Sequence, residues 1–160
     1  MLNEDYIKKK LEENCKTDLD KIIGGEYLGL SRNVRQINSL FSKICKTYEN
    51  DKYKLMEIIE IVSEYLIITR GKNTPSIKNA LDLIFVDFNS FKDLSVSIIS
   101  EQIISRTDQL NEESIRNAEI IANFGANLLS KSKLIMAFDY SSSVMNVLTK
   151  LADNNNYATI

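Results

Sequence analysis

Apolar residues along most of this chain recur at every third or fourth position, which places them on one face of an α-helix. The clearest example is residues 51–69, where one face is apolar and the opposite face is acidic. The apolar face comprises Leu55, Ile58, Ile59, Val62, Tyr65 and Leu66, and Glu57, Glu60 and Glu64 lie opposite. Helix breakers are scarce, with one proline and five glycines in 160 residues. The pattern therefore predicts a mainly α protein.

The N-terminal part is predicted to contain two helices. The first covers residues 1–16 and ends before an irregular stretch with Gly24, Gly25 and Gly29. Ser31 is predicted to be the N-cap of the second helix, because serine side chains accept hydrogen bonds from the first helical N–H groups. The buried face of that helix is predicted to comprise Val34, Ile37, Phe41, Ile44, Cys45 and Tyr48. We expect Cys45 to pack in the core and not to be reactive.

Three further helices are predicted in the middle of the chain. Gly71 is expected to end the helix of residues 51–69 in the left-handed conformation. Thr74 fits an N-cap and Pro75 the first helical position of the next helix. Its predicted inward residues are Ile77, Ala80, Leu81, Ile84, Phe85 and Phe88. The other two helices are predicted over residues 91–106 and 112–129, the second capped by Asn111 with glutamates near its positive end.

The hydrophobic period changes after Ser130. Residues 133–138 (KLIMAF) form a continuous apolar run, typical of a strand covered on both faces. A helical pattern follows, and residues 157–160 suggest a second strand, so this region predicts one β-α-β unit. Two parallel strands alone are not stable, so we expect a longer protein or another chain to complete the sheet. The predicted organisation is a helical N-terminal domain over residues 1–130 and the start of an α/β domain over residues 131–160.

Composition excludes several classes of function. The chain has no histidine, which excludes Ser-His-Asp and Cys-His catalysis within it and the usual Cys/His zinc sites. With a net charge of −2 it lacks the basic stripe typical of direct nucleic-acid binding. The two cysteines, Cys15 and Cys45, are too few for a disulfide framework. No apolar run approaches the length of a membrane span, and the N-terminus does not resemble a signal peptide. We expect a cytoplasmic protein with no membrane contact, no metal and no cofactor.

Two turns could bind an anion. Ser141, Ser142 and Ser143 follow the predicted strand at the start of a helix, where free N–H groups and hydroxyls suit a phosphate. The alternative is that these serines only cap the helix. Asp139, at the strand end, is a weak catalytic candidate that could act as a general base or orient a hydroxyl, or could cap a loop N–H.

The second turn contains Arg70. Its guanidinium, beside the next helix N-terminus, could hold an anion together with Thr74 and backbone N–H groups. The alternative is a solvated arginine whose charge offsets the dipole at the end of the preceding helix.

Three segments carry a resemblance to a known family. Residues 134–151 (LIMAFDYSSSVMNVLTKL) and 115–129 (IRNAEIIANFGANLL) resemble the family of eukaryotic translation initiation factor 2B alpha, beta and delta subunits. That family also includes the ribose-1,5-bisphosphate and methylthioribose-1-phosphate isomerases. Residues 69–84 (TRGKNTPSIKNALDLI) are similar to its arginine-containing turn and the helix that follows. The similarity covers roughly residues 31–160.

The resemblance implies a helical N-terminal domain followed by a Rossmann-like domain, of which this chain holds the beginning. It implies a phosphorylated sugar or nucleotide as ligand, with Arg70 and Gly71 at the phosphate end of the pocket. Ser141 and Ser142 would line the turn after the first strand. Because relatives dimerise, it also implies a homo-oligomer for the full-length protein.

The chain departs from the isomerases of this family at the strand end. Asp139 occupies the position of a cysteine that takes part in their proton transfer, and Phe138 stands where they have a histidine. The leading hypothesis is therefore a family member that binds such a ligand without clear catalytic residues. One alternative is an aldose-ketose isomerase of a phosphorylated pentose in which Asp139 replaces the thiol. The other is a helical protein-interaction module without a ligand.

Overall fold

The computed structural model of the chain describes residues 3–24, 30–138 and 141–154. It divides into two compact units, Met1–Asn111 and Glu112–Ile160. In chain order the elements are α1 (Glu4–Lys10), α2 (Glu13–Ile23), α3 (Leu30–Thr47), α4 (Lys52–Leu66), a π-helical turn (Ile67–Gly71), α5 (Pro75–Ile84), a 3₁₀ helix (Phe88–Asp93), α6 (Val96–Leu129) and α7 (Ser142–Asp153). The prediction of a mainly α protein is confirmed. The domain boundary after residue 130 stays a prediction.

The core of the first unit comes from the predicted helix faces. All six apolar positions of α4 are buried, as are the first four on α5. Of the six positions predicted for the second helix, five are buried, and one of these, Tyr48, lies directly after α3. Val34 is half-buried. Phe85 is half-buried and packs edge-to-face on Phe41, with 4.7 Å between ring centroids. The amphipathic pattern therefore identified this core correctly.

The single helix predicted over residues 1–16 is wrong, because α1 and α2 are separated by Leu11 and Glu12. Both residues have extended backbones, with ψ angles of 146° and 152°. The Glu12 N–H donates to the Tyr48 hydroxyl at 2.9 Å, and that hydroxyl donates to the Lys10 carbonyl at 3.3 Å. Leu11 is buried in the core. A tertiary contact from Tyr48, directly after α3, thus satisfies the backbone groups that the break releases. Gly25 and Gly29 lie outside the described residues.

Two helix ends in the structure also differ from the predicted ones. Ser31 lies inside α3, which includes Leu30, so Ser31 is not the N-cap. Gly71 does not adopt the left-handed conformation, because the chain continues from α4 into the π-helical turn. There the Lys72 N–H donates to the Ile67 carbonyl at 2.9 Å. Thr74 and Pro75 occupy the predicted N-cap and first positions of α5.

The two helices predicted over residues 91–106 and 112–129 are one continuous helix, α6, of 34 residues. Asn111 lies within it and is not an N-cap. Instead, the Asn111 side-chain oxygen accepts a hydrogen bond from the Asn38 amide at 2.9 Å. Phe91 belongs to the preceding 3₁₀ helix. Since no glycine or proline interrupts residues 96–124, the helix continues through the predicted gap.

The predicted strand at residues 133–138 is not formed. Within residues 3–24, 30–138 and 141–154 the structure contains no β-strand, and Leu134 makes one isolated bridge. Met136 and Phe138 are 91% and 93% exposed, the opposite of burial on both faces. A strand needs a continuous row of hydrogen-bonded neighbours, and beyond the single bridge at Leu134 the described residues supply none to this segment. Residues 157–160, the predicted second strand, lie outside the described residues, so the β-α-β unit is not seen.

In the second unit, α7 packs on the C-terminal part of α6. The contact involves small residues of α6, since Ala122 and Ala126 are buried and Gly125 lies against Val147. Leu151 is the buried residue of α7. The helical spacing predicted for Val144, Val147, Leu148 and Leu151 is confirmed as a helix.

Candidate functional site

The turn between α4 and α5 contains three of the predicted site residues, Arg70, Gly71 and Thr74. It begins with the π-helical residues Ile67–Gly71, and π-helical turns are frequent at functional sites. The Asn73 N–H donates to the Arg70 carbonyl and the Thr74 N–H to the Gly71 carbonyl, both at 3.3 Å. These bonds hold the backbone of the turn in one conformation directly before α5.

Arg70 is half-buried at the end of this turn. Its Nε atom is buried and finds no hydrogen-bond partner among the described residues. A buried donor without a partner is unusual, because losing water without gaining another acceptor costs about 1–3 kcal/mol. The described residues therefore leave at least one N–H donor of the Arg70 guanidinium without an acceptor. It differs from Arg106, whose Nη1 donates to the Ile84 and Val86 carbonyls.

Thr74 and Ser76 add hydroxyls to the same turn. Thr74 is the N-cap residue of α5, yet its side chain makes no capping hydrogen bond. The Ser76 hydroxyl is buried and has no partner among the residues that the structure describes. Both lie at the positive end of the α5 dipole. Sequence reasoning missed Ser76, although its place just after Thr74 and Pro75 at a helix start could have suggested it.

Gly71 is buried within the turn. A Cβ at this position would lie 3.4 Å from the Cβ of Lys78, an ordinary van der Waals distance. Neither space nor backbone conformation therefore requires glycine here, and a ligand role for Gly71 stays a prediction.

The predicted serines begin α7 in the second unit. Ser141 is its N-cap residue, with an extended backbone and a carbonyl that accepts from the Met145 N–H at 2.9 Å. Its hydroxyl makes no capping bond, and Ser142 and Ser143 are exposed. Ser141 thus has the position of a cap without the capping side-chain bond. A ligand role for Ser141 and Ser142 stays a prediction, and Asp139 lies outside the described residues.

The structure thus places the predicted residues in two groups. Arg70, Gly71 and Thr74 share one turn of the first unit, and Ser141 and Ser142 share one helix start of the second. Each group is a potential anion site on its own, because each lies at the N-terminus of a helix.

An open cleft that sequence reasoning missed lies beside α4 and the 3₁₀ helix, with a volume of about 470 Å³. Lysines and glutamates surround an apolar floor; the lining residues are Lys52, Tyr53, Met56, Glu57, Glu60, Phe88, Asn89 and Lys92. The Lys52 ammonium donates to the Lys92 carbonyl at 2.5 Å. Hydrogen bonds from Lys10 and Lys54 lower the pKa of Glu57. The mixed charges favour neither an anion nor a cation, and no predicted site residue lines the cleft.

The described residues were also compared with three other kinds of functional feature: reactive cysteines, metal sites and membrane-spanning helices. Cys15 and Cys45 are free thiols, and the full burial of Cys45 confirms it as a core residue. Burial also raises the pKa of Cys45 to about 12. The residues that the structure describes include no group of three or more metal-ligating cysteine, aspartate or glutamate side chains. Membrane crossing would need a longer and more apolar helix than any found in residues 3–24, 30–138 and 141–154.

Together these features define a mainly helical protein with an arginine between two helices whose Nε has no hydrogen-bond partner among the described residues. The sequence matches the Initiation factor 2 subunit family over residues 30–160, and the chain belongs to that family. The matched range includes the Arg70 turn and the start of α7. A comparison with the curated proteins finds no match.

Proposed function

We propose that this chain is the N-terminal portion of a cytoplasmic initiation factor 2B-like protein that binds a phosphorylated sugar or nucleotide. The phosphate would bind at the Arg70 turn. The observation that carries this proposal is the buried Nε of Arg70, which lacks a partner among the described residues. An arginine can supply two parallel N–H donors to a phosphate, and charge-assisted bonds of this kind are strong.

The surroundings of Arg70 support an anionic ligand. The Thr74 hydroxyl makes no capping bond, the Ser76 hydroxyl has no described partner, and α5 begins between them. Hydroxyls and helix N-termini both stabilise phosphate oxygens. In the proposed complex the Arg70 guanidinium and the Thr74 and Ser76 hydroxyls gain hydrogen bonds that the described residues do not give them.

The proposal extends to residues 131–160, which would begin a Rossmann-like domain. Family membership through residue 160 supports this assignment, as does a helix that starts at Ser142 after the extended backbone of Ser141. Ser141 and Ser142 would then contact the ligand from the start of α7. No catalytic residue is assigned, so the proposed activity is binding.

Isothermal titration calorimetry on the 160-residue chain tests the proposal. Ribose 5-phosphate and a nucleoside monophosphate should bind, and unphosphorylated ribose and nucleoside should bind much more weakly. Arg70→Ala should weaken binding about tenfold or more, because it removes a charge-assisted contact. Arg70→Lys should weaken it less, since it keeps the charge but not the paired donors.

Arg116→Ala is the matched control, because Arg116 is an exposed arginine of α6 outside the turn. It should leave binding unchanged. Absence of binding by any phosphorylated ligand would overturn the proposal. So would affinity that Arg70→Ala and Arg116→Ala reduce equally, because that result indicates a general charge effect.

A further inference from the structure

The open cleft beside α4 and the 3₁₀ helix is elongated, and we call it the α4 cleft. Five of its lining residues come from α4, and their spacing places them on one face of that helix: Lys52, Tyr53, Met56, Glu57 and Glu60. Lys52 and Glu60 are eight residues apart, which corresponds to about 12 Å along the helix axis. The residues at the two ends of the cleft therefore belong to different turns of α4.

The first end of the α4 cleft is basic. Lys52 lies there, and its ammonium donates a hydrogen bond to the Lys92 carbonyl at 2.5 Å, which places the 3₁₀-helix residue Lys92 at the same end. Neither lysine forms an ion pair with a carboxylate of residues 3–24, 30–138 or 141–154. Two positive charges without an acidic partner favour an anionic group of a ligand at this end.

The other end of the α4 cleft is acidic. The Glu57 carboxylate accepts hydrogen bonds from the ammonium groups of Lys10 and Lys54, so these two lysines compensate its charge. Glu60, one turn further along α4, is exposed and forms no ion pair with any residue that the structure describes. Its carboxylate is therefore the acidic group of the cleft that can accept hydrogen bonds from a cationic ligand.

The middle of the α4 cleft is apolar, because the half-buried side chains of Met56 and Phe88 form its floor. A simple anion or a simple cation would use only one end and would leave this floor uncovered. A matching ligand has a negative group and a positive group about 12 Å apart, with an apolar group between them. The volume of about 470 Å³ is typical of pockets that bind small molecules.

We propose that the α4 cleft binds a short free peptide of about three residues. Three extended residues span about 10–11 Å, which suits the separation of the two charged ends. The peptide carboxylate would lie at Lys52 and Lys92, its middle side chain on Met56 and Phe88, and its ammonium group at Glu60. The α4 cleft shares no residue with the Arg70 turn, so this inference is independent of the proposed phosphorylated ligand.

Nuclear magnetic resonance titration of the isotope-labelled 160-residue chain with Gly-Leu-Gly and Gly-Phe-Gly tests the proposal. The amide signals of residues 52–60 should shift and saturate, with a dissociation constant of about 1 mM. Triglycine should bind about tenfold more weakly, because it has no side chain to cover the apolar floor. Absence of saturable shifts in residues 52–60 with both Gly-Leu-Gly and Gly-Phe-Gly would overturn the proposal.

Blocked peptides test the position of each terminus. N-acetylated Gly-Leu-Gly and its C-terminal amide each lack one charge and should bind about threefold to fivefold more weakly, because an exposed ion pair contributes modestly. Glu60→Gln should weaken binding of the free peptide and leave binding of the acetylated one unchanged. Lys92→Gln should reduce the difference between the free peptide and its amide. If both variants left these differences unchanged, the proposed placement of the peptide would be wrong.

Glu64→Gln and Lys46→Gln are the matched controls. They remove the same charges from exposed positions of α4 and α3 that do not line the cleft, so they should leave the dissociation constant unchanged. Glu60 and Lys92 are exposed as well, so all four variants should fold, and their spectra verify this directly. Equal losses of affinity in the cleft variants and the controls would overturn the proposal, because they indicate a general charge effect.

Discussion

Gly125 of α6 lies so close to Val147 of α7 that a Cβ on it would come within 2.6 Å of one valine methyl and 2.9 Å of the other. Real Cβ atoms do not approach other carbon atoms that closely. Glycine in a helix interior costs about 1 kcal/mol relative to alanine. Glycine at position 125 is therefore explained by the close packing of α7 against α6, which leaves no space for a Cβ.

Gly125→Ala should consequently destabilise the chain despite the better helix propensity of alanine. Valine cannot easily rotate out of the way, because its branched Cβ restricts χ1. Overpacking of this kind costs about 1–3 kcal/mol, which exceeds or cancels the gain in propensity of about 1 kcal/mol. Thermal unfolding followed by circular dichroism should show a lower Tm for Gly125→Ala.

Val147→Ala in the same chain provides the control. It removes both methyl groups that the new Cβ would meet, so Gly125→Ala should be less destabilising in the Val147→Ala background than in the wild type. Equal effects in the two backgrounds would show that the Gly125–Val147 contact is not the cause.

The helix faces of the first unit could be predicted because they depend on local periodicity. Every apolar position predicted on α4 is buried, and Thr74 and Pro75 occupy their predicted positions before and in α5. In these segments the 3.6-residue period, the cap and the proline all indicate the same structure. Agreement of this kind between local signals makes a sequence easy to interpret.

The incorrect predictions depend on contacts with distant residues. Asn111 has the residue type of an N-cap, but its oxygen accepts a hydrogen bond from Asn38, which is 73 positions away. Leu11 fits a helical pattern, yet Tyr48 stabilises an extended backbone next to it. The sequence did identify Arg70 and Thr74 as candidate site residues, because both lie in the turn before α5. It could not indicate that Arg70 Nε is buried without a described partner, because that depends on packing.

Tyr48→Phe should destabilise the junction of α1 and α2. The hydroxyl accepts from the Glu12 N–H and donates to the Lys10 carbonyl, so its removal releases both backbone groups. The expected loss in the free energy of unfolding is about 1 kcal/mol. Urea unfolding monitored by circular dichroism measures it. Tyr53→Phe, which removes an exposed hydroxyl, should have no effect; equal losses for the two variants would contradict the structural role of Tyr48.

Both thiols should be unreactive in the folded protein. Burial raises the pKa of Cys45 to about 12 and also raises that of Cys15, so neither forms much thiolate near neutral pH. Labelling with iodoacetamide at pH 8 should be at least about a hundredfold slower in the native chain than in denaturant. A cysteine introduced as Ser143→Cys, at an exposed position of α7, should react quickly in the native chain. Rapid native labelling of Cys15 or Cys45 would contradict their burial.

Glu57 should contribute to the loss of stability in acid. Hydrogen bonds from Lys10 and Lys54, at 2.6 and 3.0 Å, lower its pKa below the ordinary value. A carboxyl group with a lowered folded-state pKa binds its proton more weakly in the folded than in the unfolded state. Its stabilising effect is therefore present above the ordinary pKa, about 4.3, and is lost as the pH falls through the lowered value.

Glu57→Gln should accordingly reduce the Tm at pH 7 and flatten the decrease in Tm between neutral and acidic pH. Glu60→Gln is the matched control, because Glu60 is an exposed glutamate one turn further along α4 and forms no ion pair within the described residues. Since the Glu57 carboxylate is itself partly exposed to solvent, the effect should be modest and should shrink in high salt. If Glu57→Gln and Glu60→Gln gave the same Tm profile across the pH range, the link between Lys10 of α1 and Glu57 of α4 would not contribute to stability.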